Sequence, residues 1–431
     1  MRKKILWILA ILALSSGTLR AQNVVGDWQG TLEAGKRYRI VVRIAKNDFG
    51  NLKAELYSTD IGPDGAPVNS VSAQNGTLKF SLAAAGGSYE GQISADATAI
   101  VGLWTQGGHS SHLNFRRSTK ETAWPLDASP HTVNFVTVAD NVKVEVLDWG
   151  GTGRQVVLLA GLGSTAHVFD KFAPKLALSY HVYGITRRGY GASSAPAPSN
   201  GNYSADRLGD DVIAVFDALK LNRPVLVGHS IAGEELSSIA TRHPEKVAGL
   251  IYLDAAYSYA FYDGAQGDLD LDTLELRKKL DQLMVPGAAS DAQLALIQNL
   301  RQTILPQFEK DLQAQEKELG TMRFPSYANN VSPIDVAILG GAEKYTNIRV
   351  PILAIFALPH DLGTSYQNYD PATRAALEAS DLAHTTAQAN AVEVGVPSAR
   401  VVRLPHASHF LFVSNEADVL REINAFIGLL P

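Results

Sequence analysis

The sequence predicts an α/β fold with a mostly parallel sheet, preceded by a small all-β (barrel or sandwich) domain. From His131 onward, short apolar strands alternate with amphipathic helices, which is typical of parallel sheets covered by helices on both faces. From Val24 to about Arg117, apolar residues recur with period two and show no helical stripe. A proline-containing polar segment separates the two regions. The predicted divisions are a signal peptide over 1–21, the all-β domain over 22–118, a linker over 119–130, a first core part over 131–257, a helical cap over 258–346 and a second core part over 347–431.

The composition excludes several classes of function. The chain has 431 residues with 46% hydrophobic and 19% charged residues, which is an ordinary globular balance. Its 38 Lys and Arg and 43 Asp and Glu give a formal charge of −5, and the charges are scattered, which disfavours nucleic-acid binding. There is no cysteine, so disulfides, thiolate metal sites and cysteine nucleophiles are excluded. The chemistry must therefore use oxygen or imidazole groups.

The first residues have the layout of a secretory signal peptide. Arg2, Lys3 and Lys4 precede the apolar run Ile5–Leu14, and small and polar residues follow up to Ala21. The run of about ten apolar residues is well short of the roughly 20 that a membrane-spanning helix needs. We therefore expect cleavage within a few residues of Ala21, no stable membrane anchor, and export to the periplasm or the extracellular space.

The all-β domain shows strand periodicity but no chemistry. Tyr38, Ile40, Val42 and Ile44 fall on one face of a predicted strand. Further alternating runs follow at Leu52–Tyr57, Leu78–Leu82, Tyr89–Ile93, Ile100–Trp104 and Leu113–Phe115. Many short strands favour a small barrel or sandwich, with Trp28 filling its core.

The second domain places its candidate residues at strand ends. Strands are predicted at Val142–Leu147, Val156–Ala160, His181–Thr186, Pro224–Val227, Leu250–Leu253, Pro351–Phe356 and Arg400–Leu404. Helices are predicted at Phe172–Leu178, Leu208–Leu219, Ile231–Arg242 and Val419–Leu429. Ligands of such sheets bind beyond the carboxyl ends of the strands, so the residues there are the functional candidates.

Ser230 is the candidate nucleophile. The strand ending at Val227 continues directly into Gly228-His229-Ser230-Ile231-Ala232-Gly233, after which helical spacing begins. A serine on such a tight turn projects outward, and small residues two before and two after it let strand and helix approach closely. Ala232 takes the place of the more usual second glycine.

Two further segments supply an oxyanion hole and a base. The glycine-containing segment Leu158–Ser164 follows an earlier strand, and we assign the oxyanion donors to the backbone N–H groups of Leu162 and Ile231. His406 and His409 follow the last strand, and we favour His409 as the general base because it lies further along the loop.

At this point the chain resembles the α/β-hydrolase superfamily. The segment Leu158–Ser164 is similar to the oxyanion turn of that family with Ala160 replacing its histidine, Arg188–Ser193 is similar to its Arg-Gly-x-Gly-x-Ser segment, and Gly228–Ala232 matches its nucleophile elbow. The resemblance covers His131 to Pro431 and leaves out the all-β domain. It implies a triad in the order Ser, acid, His, without a cofactor or a metal.

Two strand ends offer the acid of this triad. Asp361 follows Pro351–Ala357 at the usual family location, and Asp254 follows the preceding strand, a location that some members use. We prefer Asp361 and keep Asp254 as the alternative. Glu234 and Glu235 lie in the first turns of a helix, where negative charge is favourable, and are interpreted as structural.

The insertion after Asp254 is interpreted as a helical cap. Helical periodicity covers Asp272–Leu283, Ala292–Leu305 and Phe308–Leu319, and a second inserted helix is predicted within Asp370–Val394. Aromatic residues flank the cap and are suited to an apolar or aromatic ester as the small-molecule substrate: Tyr257, Tyr259, Phe261, Tyr262, Phe324 and Tyr327.

The expected function is that of a secreted serine hydrolase cleaving a carboxylic ester. An amidase, thioesterase, lactonase or carbon–carbon hydrolase would use the same triad, so these reactions remain alternatives. A catalytically silent binding protein of the same fold is the alternative from another class. Aspartate in place of Ser230 would have indicated a dehalogenase or epoxide hydrolase. The oligomeric state is left open.

Overall fold

The computed structural model describes residues 24–34, 36–47, 49–58, 65–124, 129–285, 290–321, 332–363 and 369–431. The predicted signal peptide, residues 125–128 of the predicted linker, and Phe324 and Tyr327 lie outside the described residues. The chain divides into two compact units, Met1–Asp127 and Ala128–Pro431.

The first unit is an antiparallel sheet, which confirms the predicted all-β domain. Its strands pair in the order β4-β3-β2-β1-β10-β8-β7-β6-β5, with β9 joined to β8. The indole of Trp28 is fully buried in the core, and its Nε1–H donates to the Val24 carbonyl at 2.8 Å. The strands are β1 Gly26–Ala34, β2 Lys36–Lys46, β3 Leu52–Ser58, β4 Ala66–Pro67, β5 Ser70–Gln74, β6 Thr77–Leu82, β7 Gly87–Ile93, β8 Ala99–Gln106, β9 His109–His112 and β10 Phe115–Arg117.

The second unit contains the predicted, mostly parallel sheet. Its strands are ordered β11-β12-β14-β13-β15-β16-β17-β18; β11 and β12 pair antiparallel, and all pairs from β14 to β18 are parallel. The strands are β11 Thr132–Ala139, β12 Val142–Gly150, β13 Gln155–Leu159, β14 His181–Thr186, β15 Val225–His229, β16 Gly249–Leu253, β17 Ile352–Ala357 and β18 Ala399–Leu404. The edge strand β11 was not among the predicted strands, and its Val133 and Phe135 are exposed.

Helices cover both faces of this sheet. Apolar residues of α3, α4 and α9 pack on one face, and those of α1 and α11 pack on the other. The helices are α1 Ala173–Leu176, α2 Asn200–Tyr203, α3 Ala205–Leu219, α4 Ala232–Arg242, α5 Leu269–Leu283, α6 Ser290–Asn299, α7 Leu305–Thr321, α8 Pro333–Leu339, α9 Pro371–Gly395, α10 Leu411–Ser414 and α11 Glu416–Ile427.

The predicted cap region consists of α5 to α8, inserted between β16 and β17. A π-helical turn at Leu300–Ile304 joins α6 to α7. Among the described residues, no helix combines the length and the apolar character needed to cross a bilayer.

The parallel strands bring the candidate residues to one edge of the sheet. Because β13, β15, β16, β17 and β18 run in the same direction, the segments that follow them start at the same edge. Those segments carry the glycine turn at Ala160–Ser164, Ser230, Asp254, His360 and His409.

Candidate active site

Ser230 occupies a strained turn between β15 and α4. Its φ of 54° lies in the left-handed region, which is rare for a residue with a side chain and typical of functional sites. A Cβ added to Gly228 would lie 2.8 Å from the Leu236 side chain. A Cβ added to Gly233 would lie only 2.0 Å from the Ala255 carbonyl oxygen. Helix α4 therefore approaches Ala255 closely at Gly233, where a side chain would not fit.

His409 lies in the loop between β18 and α10. Its Nδ1 is 2.7 Å from Oδ2 of Asp254, and its side chain remains 44% exposed. The ring of His229 lies 4.6 Å from the ring of His409, and its Nε2–H donates to the His409 carbonyl at 3.0 Å. Burial, together with the nearby His409, lowers the pKa of His229 to about 3, so His229 is neutral. His229 thus connects the strand before Ser230 to the backbone of the histidine loop.

Asp254 is fully buried and accepts four hydrogen bonds. Oδ2 faces Nδ1 of His409 and Nε2 of His360, the latter at 2.8 Å. Oδ1 accepts from the Tyr257 hydroxyl at 2.9 Å and from the Ala357 N–H at 3.0 Å. Burial alone would raise the pKa of Asp254, but the hydrogen bonds from His360 and His409 outweigh it and hold this pKa well below its usual range.

The contacts of Asp361 do not match its preferred place in the predicted triad. Asp361 is exposed, its N–H donates to the Ala407 carbonyl at 2.8 Å, and its carboxylate accepts from the Gly363 N–H at 2.9 Å. The residue before it, His360, forms a parallel bridge with Ala407 and turns its side chain toward Asp254 instead. Since neighbouring residues of extended chain point in opposite directions, Asp361 points away from the site. Asp254, the alternative acid, therefore takes the place of Asp361 in the candidate triad.

His360 joins Asp254 to a second carboxylate. Its side chain is 8% exposed, and its Nδ1 lies 2.9 Å from Oδ2 of Asp381 on α9. Burial lowers the pKa of His360, but Asp254 and Asp381 overcome this effect and raise it to about 10. Neither His360 nor Asp381 was among the site residues predicted from the sequence. The one available signal was that His360 lies in the loop after strand β17, next to Asp361, the preferred acid.

The glycine turn lies against the nucleophile. A Cβ added to Gly161 would be 3.0 Å from the Ser230 Cβ, so the two backbones approach closely. Within the part of the chain that the structure describes, the N–H groups of Leu162 and Ile231 donate no hydrogen bond to another backbone group, as expected of oxyanion donors. Their assignment stays a prediction.

A buried ion pair holds this turn in place. Arg187 binds Glu235 through Nε and Nη2 at 2.8 and 2.7 Å, and Nη2 also donates to the Ala160 carbonyl at 3.0 Å. The Arg187–Glu235 pair therefore connects the glycine turn to helix α4. Glu234, the residue before Glu235, is completely buried, and burial raises the pKa of its carboxyl group well above its usual value.

The aromatic residues at the start of the cap have different surroundings. Tyr257 donates a hydrogen bond to Asp254, and Tyr259 packs against the apolar cluster that contains Ile231. Phe261 is buried against Gly395, and Tyr262 donates to Asp272 at 2.8 Å within the cap. Of these four side chains, that of Tyr257 is hydrogen-bonded to a triad candidate.

Among the residues that the structure describes, two groups of side chains each bring three possible metal-ligand atoms within 4.8 Å of one another. Asp254, His360 and His409 form the first, and their separations of 2.7 and 2.8 Å are those of hydrogen bonds. The second consists of His131, His167 and Asp170. Despite the opposing effect of burial, Asp170 and Glu145 raise the pKa of His167 to about 10. A protonated histidine between two carboxylates is an ion-pair network, so we interpret neither group as a metal site.

Comparison with known proteins gives partial matches to several enzymes. A fluoroacetate dehalogenase from Burkholderia sp is 35% identical over 116 residues, which are 26% of this chain and 38% of the relative. A 2-hydroxymuconate semialdehyde hydrolase from Pseudomonas sp. (strain CF600) is 29% identical over 150 residues, which are 33% of this chain and 52% of the relative. The chain thus matches less than two thirds of the length of these relatives.

A solved structure of a hydrolase from Pseudomonas aeruginosa PA01 covers 69% of this chain and 98% of its own, with a TM-score of 0.44 and 17% sequence identity. The family model described as alpha/beta hydrolase fold matches residues 155–416. The matched region is more than half of the chain and includes the glycine turn, the Ser230 elbow, Asp254 and His409. The chain therefore belongs to the alpha/beta hydrolase family.

Proposed function

We propose that this protein is a serine hydrolase that cleaves a carboxylic ester through an acyl-enzyme on Ser230, with His409 as base and Asp254 as acid. The observation that carries the proposal is the contact of 2.7 Å between Nδ1 of His409 and the buried Asp254, beside a serine held at a φ of 54°. A serine, an oriented imidazole and a carboxylate are the parts that nucleophilic acyl transfer needs.

The protonation states follow from the hydrogen bonds. Asp254 is an anion, so it accepts a hydrogen bond from the N–H group at Nδ1 of His409. The lone pair of the neutral imidazole is then on Nε2, which is the nitrogen that can take the proton from Ser230. Ser230 attacks the ester carbonyl, and His409 returns the proton to the leaving alcohol. Water, activated by His409, then attacks the acyl-enzyme in the same way and releases the carboxylic acid product.

The developing oxyanion would be stabilised by the backbone N–H groups of Leu162 and Ile231. A single donor of this kind contributes about 3–4 kcal/mol to stabilisation of the transition state. The contact of Arg187 with the Ala160 carbonyl supports a rigid turn at this place, because it limits the rotation of the peptides that lead to Leu162.

An apolar wall beside the serine supports a preference for apolar or aromatic acyl groups. Leu162, Ile231 and Tyr259 belong to one cluster of packed apolar side chains. The other members of this cluster are Tyr190, Tyr203, Leu208, Ile334, Ala337 and Ile338. We expect short to medium acyl chains or aromatic esters to be turned over faster than emulsified long-chain triglycerides.

The proposal is tested by labelling the protein with a fluorophosphonate, which reacts with activated serines. We expect wild-type protein to be labelled, and Ser230→Ala to lose the label while keeping its fold by circular dichroism. Ser408→Ala, which alters the serine next to His409, is the matched control and should still be labelled. Absence of label on wild-type protein, when another serine hydrolase is labelled in parallel, would favour a catalytically silent binding protein.

The scissile bond is tested separately. A p-nitrophenyl ester is compared with an anilide, a thioester and a lactone whose acyl chains have the same length. We expect the highest kcat/KM with the ester. A higher value with one of the other classes would refute ester specificity and leave the acyl-enzyme on Ser230 standing.

Export is also part of the proposal. The support is the Arg2–Ala21 sequence pattern. When the full-length gene is expressed in a Gram-negative host, N-terminal sequencing of the periplasmic or extracellular protein should give a first residue at Gln22 or within a few positions of it. A cytoplasmic protein that retains Met1 would contradict this part.

A further inference from the structure

The acid of the proposed triad carries a second imidazole. Oδ2 of Asp254 lies 2.7 Å from Nδ1 of His409 and 2.8 Å from Nε2 of His360. The proposed mechanism uses only His409. His360 is buried and is held by carboxylates from two sides, and both of its ring nitrogens are engaged away from Ser230, so its role needs a separate explanation.

The contacts of His360 indicate a positively charged ring. Nε2 faces the carboxylate of Asp254, and Nδ1 faces the carboxylate of Asp381 at 2.9 Å. Carboxylates only accept hydrogen bonds, so both ring nitrogens must carry a proton, and an imidazole has two N–H groups only as a cation. The raised pKa of His360, about 10, agrees with this geometry.

The other groups around His360 do not cancel its charge. The Tyr257 hydroxyl lies 3.4 Å from Nε2 and donates to Oδ1 of Asp254, and burial raises the pKa of this tyrosine, so it is neutral. The ring of His409 is centred 6.5 Å from that of His360. In the described part of the chain, the titratable groups that face His360 are therefore Asp254, Asp381, Tyr257 and His409.

We infer that His360 is a positioning residue: as a permanent imidazolium between Asp254 and Asp381, it fixes the Asp254 carboxylate and keeps His409 unprotonated at lower pH than Asp254 alone would allow. A carboxylate beside an imidazole favours the protonated ring, whereas a cation nearby disfavours it. His360 offsets part of the effect of Asp254 and so preserves the basic form of His409. The kinetic consequence rests on the proposed function; the charge of His360 does not.

The test replaces His360 by glutamine, which keeps an N–H donor for Asp254 and removes the charge. For two rings centred 6.5 Å apart, in a partly solvated medium with an effective dielectric constant of about 40, we expect the pH at which His409 takes up its proton to rise by about one unit. This is measured by NMR titration of the histidine ring signals and, independently, by the acidic limb of kcat/KM against pH, which should move upward by the same amount.

Two further variants complete the experiment. His384→Gln makes the same substitution at a histidine of α9 whose side chain is 70% exposed, and it should leave the titration of His409 unchanged. Asp381→Asn removes one of the two carboxylates on His360 and should lower the pH at which His360 loses its proton by more than about one unit. This variant also tests the inference if His360→Gln does not fold.

The outcomes separate the inference from the proposed function. A His409 titration that moves by less than about 0.3 unit, or downward, in His360→Gln would overturn the inference. So would a wild-type His360 ring that titrates below about pH 7. If the wild-type protein neither hydrolyses esters nor reacts with a fluorophosphonate, the proposed function fails, while the NMR titrations still decide the role of His360.

Discussion

Substitution of Asp254 by asparagine is the sharpest test of the proposed mechanism, because it changes one atom of a fully buried side chain. The retained amide oxygen can still accept from the Tyr257 hydroxyl and the Ala357 N–H, which bind Oδ1 of Asp254 at 2.9 and 3.0 Å. The new amide NH2 group would face the two imidazoles. An amide nitrogen cannot accept their N–H groups, so the hydrogen bond to His409 is lost unless the imidazole changes tautomer.

The change of tautomer would remove the base. If the amide donates to Nδ1 of His409, the ring proton must sit on Nε2, and Nε2 then has no lone pair for the Ser230 proton. Loss of the correct tautomer in a triad of this kind costs about 10⁴-fold in kcat, or about 5.5 kcal/mol. The Michaelis constant should change little, because Asp254 is buried and does not face substrate.

The assay is the steady-state hydrolysis of a soluble p-nitrophenyl ester at pH 8, with circular dichroism to verify the fold of each variant. Asp361→Asn is the matched control, and it should stay within about twofold of wild type because the side chain is exposed and accepts its hydrogen bond from the nearby Gly363 N–H. A larger loss in Asp361→Asn than in Asp254→Asn, or a loss below about tenfold in the latter, would refute the assignment of the acid.

Three other predictions concern the supports of the site. Arg187→Met leaves Glu235 buried without its cation and should lower the free energy of unfolding by about 3–5 kcal/mol in urea titrations; an unchanged midpoint would contradict the role given to this pair. Gly233→Ala would place a Cβ 2.0 Å from the Ala255 carbonyl oxygen and should cost about 1–3 kcal/mol, whereas a neutral effect would show that α4 can shift. A chain beginning at Ser129 should fold and retain most activity on small esters, because the two units have separate apolar cores; an insoluble or inactive product would refute independence.

The nucleophile and the base could be predicted from the sequence because their signals are local. A strand that runs into Gly-x-Ser and then a helix is visible over ten residues, and His409 lies in the loop that follows the last apolar strand. Neither the prediction of Ser230 nor that of His409 requires the strand order of the sheet. The fold class could be predicted for the same reason, since the alternation of strands and helices is a property of the chain itself.

The acid could not be predicted in this way. Asp254 follows β16 and Asp361 follows β17, and both strands end at the same edge of the sheet. The local sequence around each residue is compatible with the acid of a triad. The choice depends on the side of the chain that faces His409, which is fixed by the bridge between His360 and Ala407 beyond the paired strands β17 and β18. A register set by pairing between distant segments leaves no trace in the residues around Asp361.

The aromatic flank of the cap had the same difficulty. Tyr257, Tyr259, Phe261 and Tyr262 lie within six positions and have similar burial preferences, yet their surroundings differ. Tyr257 binds Asp254, Tyr259 packs against the apolar cluster that contains Ile231, Phe261 lies against Gly395, and Tyr262 binds Asp272. Sequence spacing does not tell these contacts apart, because the segment is not a regular helix or strand whose periodicity would assign each ring to a face.

The geometry of the site results from two sets of buried polar contacts acting on a common sheet edge. The parallel strands determine which loops meet at this edge of the sheet. They do not determine the conformation of those loops. Arg187 fixes the glycine turn relative to α4 through Ala160 and Glu235, and His229 fixes the His409 backbone relative to β15. Each of these contacts joins segments that are far apart in the chain. A substitution at Arg187 or His229 should therefore reduce kcat, although neither side chain is proposed to contact the substrate. Their effects should be nearly additive, since Arg187 acts on the oxyanion side and His229 on the base side. A strongly non-additive double variant would mean that the two sides move as one unit.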